Sequence, residues 1–467
     1  MSPASKDDLI LEEVPIAKIL YAISSFKRRG RPESLNTRAM IFSLILCKIE
    51  HIRFIKDLVN RLKSSAEFRL RCHFTGSDRV PSQAAYSRLF TKLQQSGILH
   101  EVIDITVDAA ITEGFLKGES MAVDSSHVEA FDRNPKIDAS KPAPSILPKE
   151  VEDSEEPAFL DAVSHVPQPA PKPEKPKRVK RGRVPKAEEA AWRAQVEAYE
   201  ASLTHFEKEV AGMLSCSYEE LIADMPTYPS VGAKGDPRGN GRVKYWYGYK
   251  LNLLVDCQSQ YIVTGVNCSA HVNDQRPAIV LLKRLKERFP TLQPKYVLGD
   301  KGYDSEPVYQ QVRDVGACSL IPLVHRTKLP DGVDKHLRPT CKQGHSYRYD
   351  SYDATRDTVK FVAPKECAAC PFQADGCQKV IKKQVKEDVR RYTAPGRGSE
   401  KFHQLFKQRT AVERVFAYLK LYLELGTTRK LKRRAFVDMD LSCLTYNVCK
   451  LAIDKLNKRI REAKPAA

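Results

Sequence analysis

The sequence predicts an α/β protein, a mixed sheet preceded by an all-α region and interrupted by two insertions. Apolar residues recur at three- and four-residue spacing through Arg38 to Leu62 and Ala84 to Gly114, which reads as helix. Two short apolar runs, Met121-Ala122-Val123-Asp124 and Tyr296-Val297-Leu298-Gly299-Asp300, read as buried strands that each deliver a carboxylate at their end. From Val243 onward the order strand, hairpin, helix, strand, helix, strand describes a mixed sheet.

The elements follow in order. Residues 1–118 form the helical N-terminal region, a candidate DNA-binding domain. Within it Pro81-Ser82-Gln83 opens a helix with Ser82 as N-cap, and Arg88 and Lys92 lie along one exposed side. That helix is either a helix-turn-helix reader or a solvated basic face. Residues 119–131 are the first strand. Residues 132–235 are an insertion: prolines, the acidic run Glu150 to Glu156 and prolines alternating with lysines cannot bury a core, so disorder is expected there. Its basic part, Lys175 to Lys186 with Arg181-Gly182-Arg183, is a candidate phosphate tracker, although a solvated linker is the plainer account. From Ala187 to Gly212 an exposed helix is expected. Residues 236–325 hold the strand Val243 to Asp256, a turn at Cys257 to Gln260, the strand from Tyr261, a helix over Asp274 to Arg288, the Asp300 strand, a helix over Ser305 to Val315 and a strand at Ser319 to Pro322. Residues 326–399 are a Cys-rich insertion, and 400–467 are helical again.

At 467 residues the chain can build two or three domains and a substantial core. Its 77 Lys and Arg against 58 Asp and Glu give a net charge of +19, which favours a polyanionic partner: DNA, RNA or an acidic membrane. Apolar stretches such as Met40 to Cys47 are too short to span a bilayer, and no signal-like segment opens the chain, so a soluble intracellular protein is expected. The 12 cysteines are scattered except between Cys341 and Cys377, which argues against a disulfide framework.

Three acids have settings suited to a divalent metal: Asp124, Asp300 and, inside a helical pattern, Glu413. Two strand-borne aspartates and a helix-borne glutamate can converge in space, as two-metal phosphoryl transfer requires. Arg409, Glu413 and Lys420 fall within about 40° of one another at 100° per residue, so one helix face presents a carboxylate between two cations. Taken alone, Arg409 and Glu413 would be an ordinary i,i+4 surface pair. Among competing acids, Asp304 and Asp274 read as helix caps and Asp256 as a turn residue.

Together these strings resemble the DDE transposases of bacterial insertion sequences. Val297-Leu298-Gly299-Asp300-Lys301-Gly302-Tyr303 is similar to that family's second-aspartate motif, and Tyr247-Gly248-Tyr249-Lys250 to its central hairpin. The signature Tyr-x2-Arg-x3-Glu-x6-Lys reads here as Phe406, Arg409, Glu413 and Lys420, the first aromatic lacking its hydroxyl. Gly30-Arg31-Pro32 and the Pro81 to Arg88 segment look like the accessory region that precedes such cores. The resemblance implies an RNase H-like catalytic core in which Asp124, Asp300 and Glu413 are catalytic and hold two Mg²⁺ (or Mn²⁺) ions. It implies Arg409, Lys420 and Phe406 at the DNA, which would be the element's inverted ends and the target. It further implies Mg-dependent strand cleavage and strand transfer, a dimer or larger assembly on DNA, no membrane partner, and a cytoplasmic, nucleoid-associated location in a bacterium. The alternatives are a related metal-dependent nuclease and a non-catalytic or domesticated DNA-binding repressor.

Two features remain. Cys341, Cys367, Cys370 and Cys377, with His345 as a candidate replacement, have the spacing of a structural Zn²⁺ knuckle, reduced thiols in a small β insertion being the alternative. The aromatic hairpin Tyr245-Trp246-Tyr247 mixes rings with cations; core packing is the favoured reading, with Trp246 and Lys250 as candidate DNA contacts. The apolar positions Leu441, Leu444, Val448 and Leu451 serve packing within the chain or between chains.

Overall fold

In a computed structural model, residues 5–24, 35–131, 173, 185–202, 205–235, 243–324, 331–371, 377–428 and 434–463 are described. Gly30-Arg31-Pro32, Arg181-Gly182-Arg183 and most of the proline-rich insertion lie outside them.

The N-terminal region contains helices α1 (Lys6–Glu12), α2 (Ile16–Ser24), α3 (Thr37–Ile49), α4 (Ile55–Ser64), α5 (Ala66–Arg71), α6 (Gln83–Ser96) and α7 (Ile98–Thr112). Helix α6 begins where expected: Ser82 Oγ accepts from the Ala85 amide at 3.3 Å, satisfying one of the free donors of the first turn. The continuous pattern from Ala84 to Gly114 is two helices, because Gly97 takes a left-handed conformation with φ of 61° and turns the chain between α6 and α7. Arg38 to Leu62 likewise divides into α3 and α4. Helix α3 is buried from Ala39 to Lys48, so its apolar residues are not confined to one stripe.

The central sheet begins with β1 (Ser120–Glu129). After α8 (Lys186–Ser202), α9 (His205–Gly212) and α10 (Tyr218–Asp224) come β2 (Ser230–Gly235), β3 (Val243–Asp256), β4 (Ile262–Ser269), α11 (Gln275–Arg288), β5 (Tyr296–Leu298), α12 (Glu306–Asp314) and β6 (Cys318–Leu320). Strand β3 pairs antiparallel with β1, β2 and β4, while β5 pairs parallel with both β1 and β6. This is the mixed sheet that the order of strand and helix patterns predicts. Composition places β2 in the insertion ending at residue 235; it belongs instead to the sheet, hydrogen-bonded along β3. The turn before β4 is held by Asp256, whose carboxylate accepts from the Ser259 amide at 2.7 Å and hydroxyl at 2.6 Å, as a turn residue should.

The Cys-rich insertion forms a separate antiparallel sheet of β7 (Arg348–Asp353), β8 (Thr358–Val362) and β9 (Val380–Gln384), with its own small core of Tyr347, Val359, Phe361, Val385, Tyr392 and Ala394. Helices α13 (Glu400–Phe406), α14 (Thr410–Tyr422) and α15 (Arg434–Ala463) follow. On α15, Leu441, Leu444, Val448 and Leu451 are buried within this chain, so they serve internal packing. Buried Asn447 on the same helix accepts from the Ile262 amide at 3.1 Å and donates to the Ile262 carbonyl at 2.9 Å and Thr106 Oγ1 at 3.0 Å, tying α15 to β4 and α7. Among the described residues no helix is long and apolar enough to cross a membrane.

Candidate active site

Strands β1 and β5 bring the two aspartates together. Their parallel register pairs Ser120 with Tyr296, Met121 with Val297 and Ala122 with Leu298. Asp124 and Asp300 each stand two residues beyond the last of these pairs, at matching heights; Asp300 follows the end of β5 as expected, but β1 runs on to Glu129, so Asp124 lies within its strand and not at its end. Parallel pairing of two apolar runs that end in aspartate therefore yields a carboxylate pair.

The glutamate helix joins this pair through Arg409. Its guanidinium contacts Asp124 Oδ2 at 3.5 Å and makes a very short ion pair with Glu413 Oε1. The Arg409–Glu413 contact follows from their i,i+4 spacing, while the link to Asp124 depends on α14 packing over β1 and β3. Phe406 stacks on Phe402 with ring centroids 5.8 Å apart, and Arg409 lies over the Phe406 ring at 5.8 Å. Phe406 thus supports Arg409 from below.

Electrostatics mark the pair as strained in charge. Burial pushes the Asp124 carboxyl up to about 6, and the charge of Asp300 adds to the rise. The Ser125 amide, which donates to Asp124 Oδ1 at 2.8 Å, and the cations Arg409 and Lys234 pull the other way. Asp300 opens to solvent at its edge, yet the walls of the cleft desolvate its carboxyl enough to raise it, and Asp274 adds to the effect. The Gly302 amide donates to Asp300 Oδ1 at 2.8 Å and opposes that rise. Burial first, and then the charges of Asp274, Asp124 and Asp300, hold the Tyr303 hydroxyl protonated, with the Ser125 side chain close enough to oppose them slightly.

The sign of the Asp124 shift gives a testable result. A carboxyl raised from 3.8 to about 6 favours the neutral form in the fold, so its cost is absent below pH 3.8, grows between 3.8 and 6, and is complete above 6. At 1.36 kcal/mol per pH unit the cost reaches about 3 kcal/mol. Asp124→Asn is expected to stabilise metal-free protein by up to about this amount at pH 7.5 and not at pH 3.5. Urea unfolding at the two pH values checks it, and a variant no more stable at pH 7.5 contradicts it.

The competing acids are placed differently from the sequence expectation. Asp304 does not cap α12; Ser305 holds the cap position. The Asp304 carboxylate is buried and accepts from Arg390 through two contacts of 2.9 Å, from Tyr309 Oη at 2.8 Å and from the Val324 amide at 2.7 Å. Its oxygens are fully engaged and unavailable to a metal. Asp274 precedes α11 but makes no side-chain cap; it pairs instead with Lys250 Nζ at 2.8 Å.

That pairing also involves one of the candidate DNA contacts on the hairpin. Lys250 is consumed by Asp274 and by the Val272 carbonyl at 2.9 Å. Trp246 is 7% exposed and packs its ring against Gly232, leaving no face for a base. Arg88 is exposed on α6, and Lys420 is half-buried on α14. The cation that sequence reasoning missed is Lys234 on β2; its charge and that of Lys244, one of the hairpin cations on β3, reach Lys420, and that of Lys234 also reaches both aspartates. The only sequence signal for Lys234 is a lysine just before the short polar stretch that precedes β3.

Among the described residues no set of three or more His, Cys, Asp or Glu side chains is gathered closely enough to hold a metal ion. In the Cys-rich sheet, Cys341, Cys370 and Cys377 lie near enough to Cys367 for their charges to reach it, and His345 is exposed. For the carboxylates, Arg409 stands between Asp124 and Glu413. The donor set itself fits a hard divalent cation: paired carboxylates made costly by burial and mutual charge, and an arginine in the role of counter-cation.

A mixed sheet brings one aspartate from within β1 beside another just past β5, and the Arg409–Glu413 segment reaches the first of them. Residues 218–448 match the family described as Transposase DDE domain, and residues 4–92 match the one described as Transposase domain (DUF772). The chain belongs to the DDE-domain transposases. Asp300 and Glu413 lie inside the first match; Asp124 lies between the two. No curated protein matches the chain. It is similar to the chain in the cryo-EM structure of the piggyBac transposase synaptic complex with hairpin DNA, at 11% identity and a TM-score of 0.33, covering 98% of this chain and 80% of that one.

Proposed function

We propose that this transposase binds the inverted ends of an insertion sequence, cleaves them with Mg²⁺ or Mn²⁺ and joins them to target DNA. The observation that carries the reading is the matching height of Asp124 and Asp300 on paired strands, with Arg409 linking Asp124 to Glu413. Asp124, Asp300 and Glu413 would hold two divalent ions, which when bound activate a water or DNA 3′-OH and stabilise the departing oxygen. The remaining work falls to the chain's cations. Arg409, freed from its two carboxylates when they take up metal, is placed to neutralise the scissile phosphate, and Lys420 to hold its neighbour. Helix α6 with Arg88 is the candidate reader of the end sequence, and two chains would pair two ends.

The test uses precut duplex taken from the DNA that borders the reading frame. With Mg²⁺, wild-type protein is expected to yield joined products. Cleavage without joining would favour the nuclease, and binding without either would favour the repressor.

A further inference from the structure

Lys234 and Lys244 stand directly opposite each other across β2 and β3. Residues so paired lie about 5 Å apart at Cα, and like charges in that position destabilise a sheet. Both side chains are exposed, and among the described residues neither has a carboxylate in ion-pair contact. The pair is rigidly set. Two residues after Lys244, Trp246 is buried with its ring against Gly232, two residues before Lys234, where any Cβ would collide with the indole. Trp246 Nε1 donates to the Tyr249 carbonyl at 3.3 Å, and the His127 ring lies 5.4 Å from the indole. The lysine pair is thereby anchored to β1, the strand that carries Asp124.

Its charge points toward the site. Lys234 lies within electrostatic reach of both Asp124 and Asp300. Lys420 loses proton affinity to burial first, then to Lys234 and Lys244. His127 is pushed down to about 4 by burial and by Lys420, Lys244 and Lys234, so it adds no charge of its own. A charged edge strand can simply guard against sheet-to-sheet association. That role needs charge along the edge; it does not require two lysines in register, or their placement within reach of a third cation beside the carboxylates. Repulsion of this kind is relieved by a polyanion.

We propose that Lys234 and Lys244, with Lys420, clamp the phosphodiester backbone of the DNA strand led into the carboxylate pair. The proposal rests on the transposase reading above and extends its DNA path onto the β2–β3 edge.

The experiment measures affinity for the duplex bordering the reading frame, and for a random-sequence duplex, across a KCl series. Wild-type protein is compared with the full chain carrying Lys234→Gln and Lys244→Gln, and with the Lys→Arg pair. Each phosphate that is no longer neutralised lowers the salt slope by about 0.9, so the Gln pair is expected to reduce it by about 2 on both duplexes. The Arg pair should retain the wild-type slope, and the melting temperature without DNA should not fall in the Gln pair, since a repulsion is removed. A wild-type slope in the Gln pair would overturn the clamp and leave the lysines as an edge guard. Joining of precut ends by wild-type protein is scored on the same duplex: joining with an unchanged slope sinks the clamp alone, whereas a reduced slope without joining sinks the transposase reading alone. Wild-type protein that binds neither duplex sinks both.

Discussion

Alanine at Asp124, Asp300 or Glu413 is expected to cut the rate of end cleavage by about 10³-fold or more, the scale on which removal of a central electrostatic group acts. End binding should change little, because the N-terminal helices and the lysine edge are untouched by these substitutions. The expectation follows from geometry. Asp124 and Asp300 share one height on adjacent strands, so loss of either leaves half of a carboxylate pair. Glu413 is the partner that Arg409 bridges to Asp124, so its loss removes the helix's contribution and leaves Arg409 on Asp124 alone. Gel assays of cleavage and mobility shift on one duplex read both quantities. Cleavage at the wild-type rate by any one variant would remove that residue from the centre. A parallel loss of binding would mean that the substitution had damaged the fold.

The second large effect concerns stability. Asp304→Ala is expected to cost about 3 kcal/mol, because it strands the half-buried Arg390 guanidinium and two further donors. Arg390 would be deprived of both of its 2.9 Å hydrogen bonds, and Tyr309 Oη and the Val324 amide of theirs. Arg397 donates to the same Tyr309 hydroxyl at 2.6 Å and to the Ile321 carbonyl at 2.9 Å, so the damage would spread through the seam where the segment after β9 meets the central sheet. Asp304 also ends the turn that begins at Asp300. Urea unfolding at pH 7.5 gives the value. Asp304→Asn keeps the shape but only part of the hydrogen bonding, and is expected to fall between wild type and alanine. A loss under about 1 kcal/mol for alanine would show that the buried pair contributes little beyond its own desolvation cost.

How much of the fold and site is legible in the sequence depends on the range of each interaction. Asp124 and Asp300 are readable because an apolar run ending in aspartate is a local pattern, and the helical phase of Arg409, Glu413 and Lys420 is local too. The link from Arg409 to Asp124 spans 285 residues and exists only once α14 crosses the sheet. Asp304 misleads for the same reason. An acid before a helix suggests a cap, and nothing nearby reveals that Arg390, 86 residues later, claims the carboxylate. Lys250 and Asp274 repeat the lesson at shorter range. Trp246 is buried in a strand whose neighbours Tyr245 and Lys244 are exposed, and Gly232, the residue that makes room for its ring, lies in a segment whose composition reads as insertion. A segment with no apolar alternation gives no sign of an edge strand, which hides Lys234 altogether.

The central claim is that carboxylates from β1, β5 and α14 form one divalent-metal centre. Titration of Mn²⁺ into the DNA-bound chain, followed by calorimetry, tests it most directly. Two ions per chain are predicted for wild-type protein, with at least one lost in each of Asp124→Ala, Asp300→Ala and Glu413→Ala. Wild-type stoichiometry and affinity retained in all three variants would contradict the account.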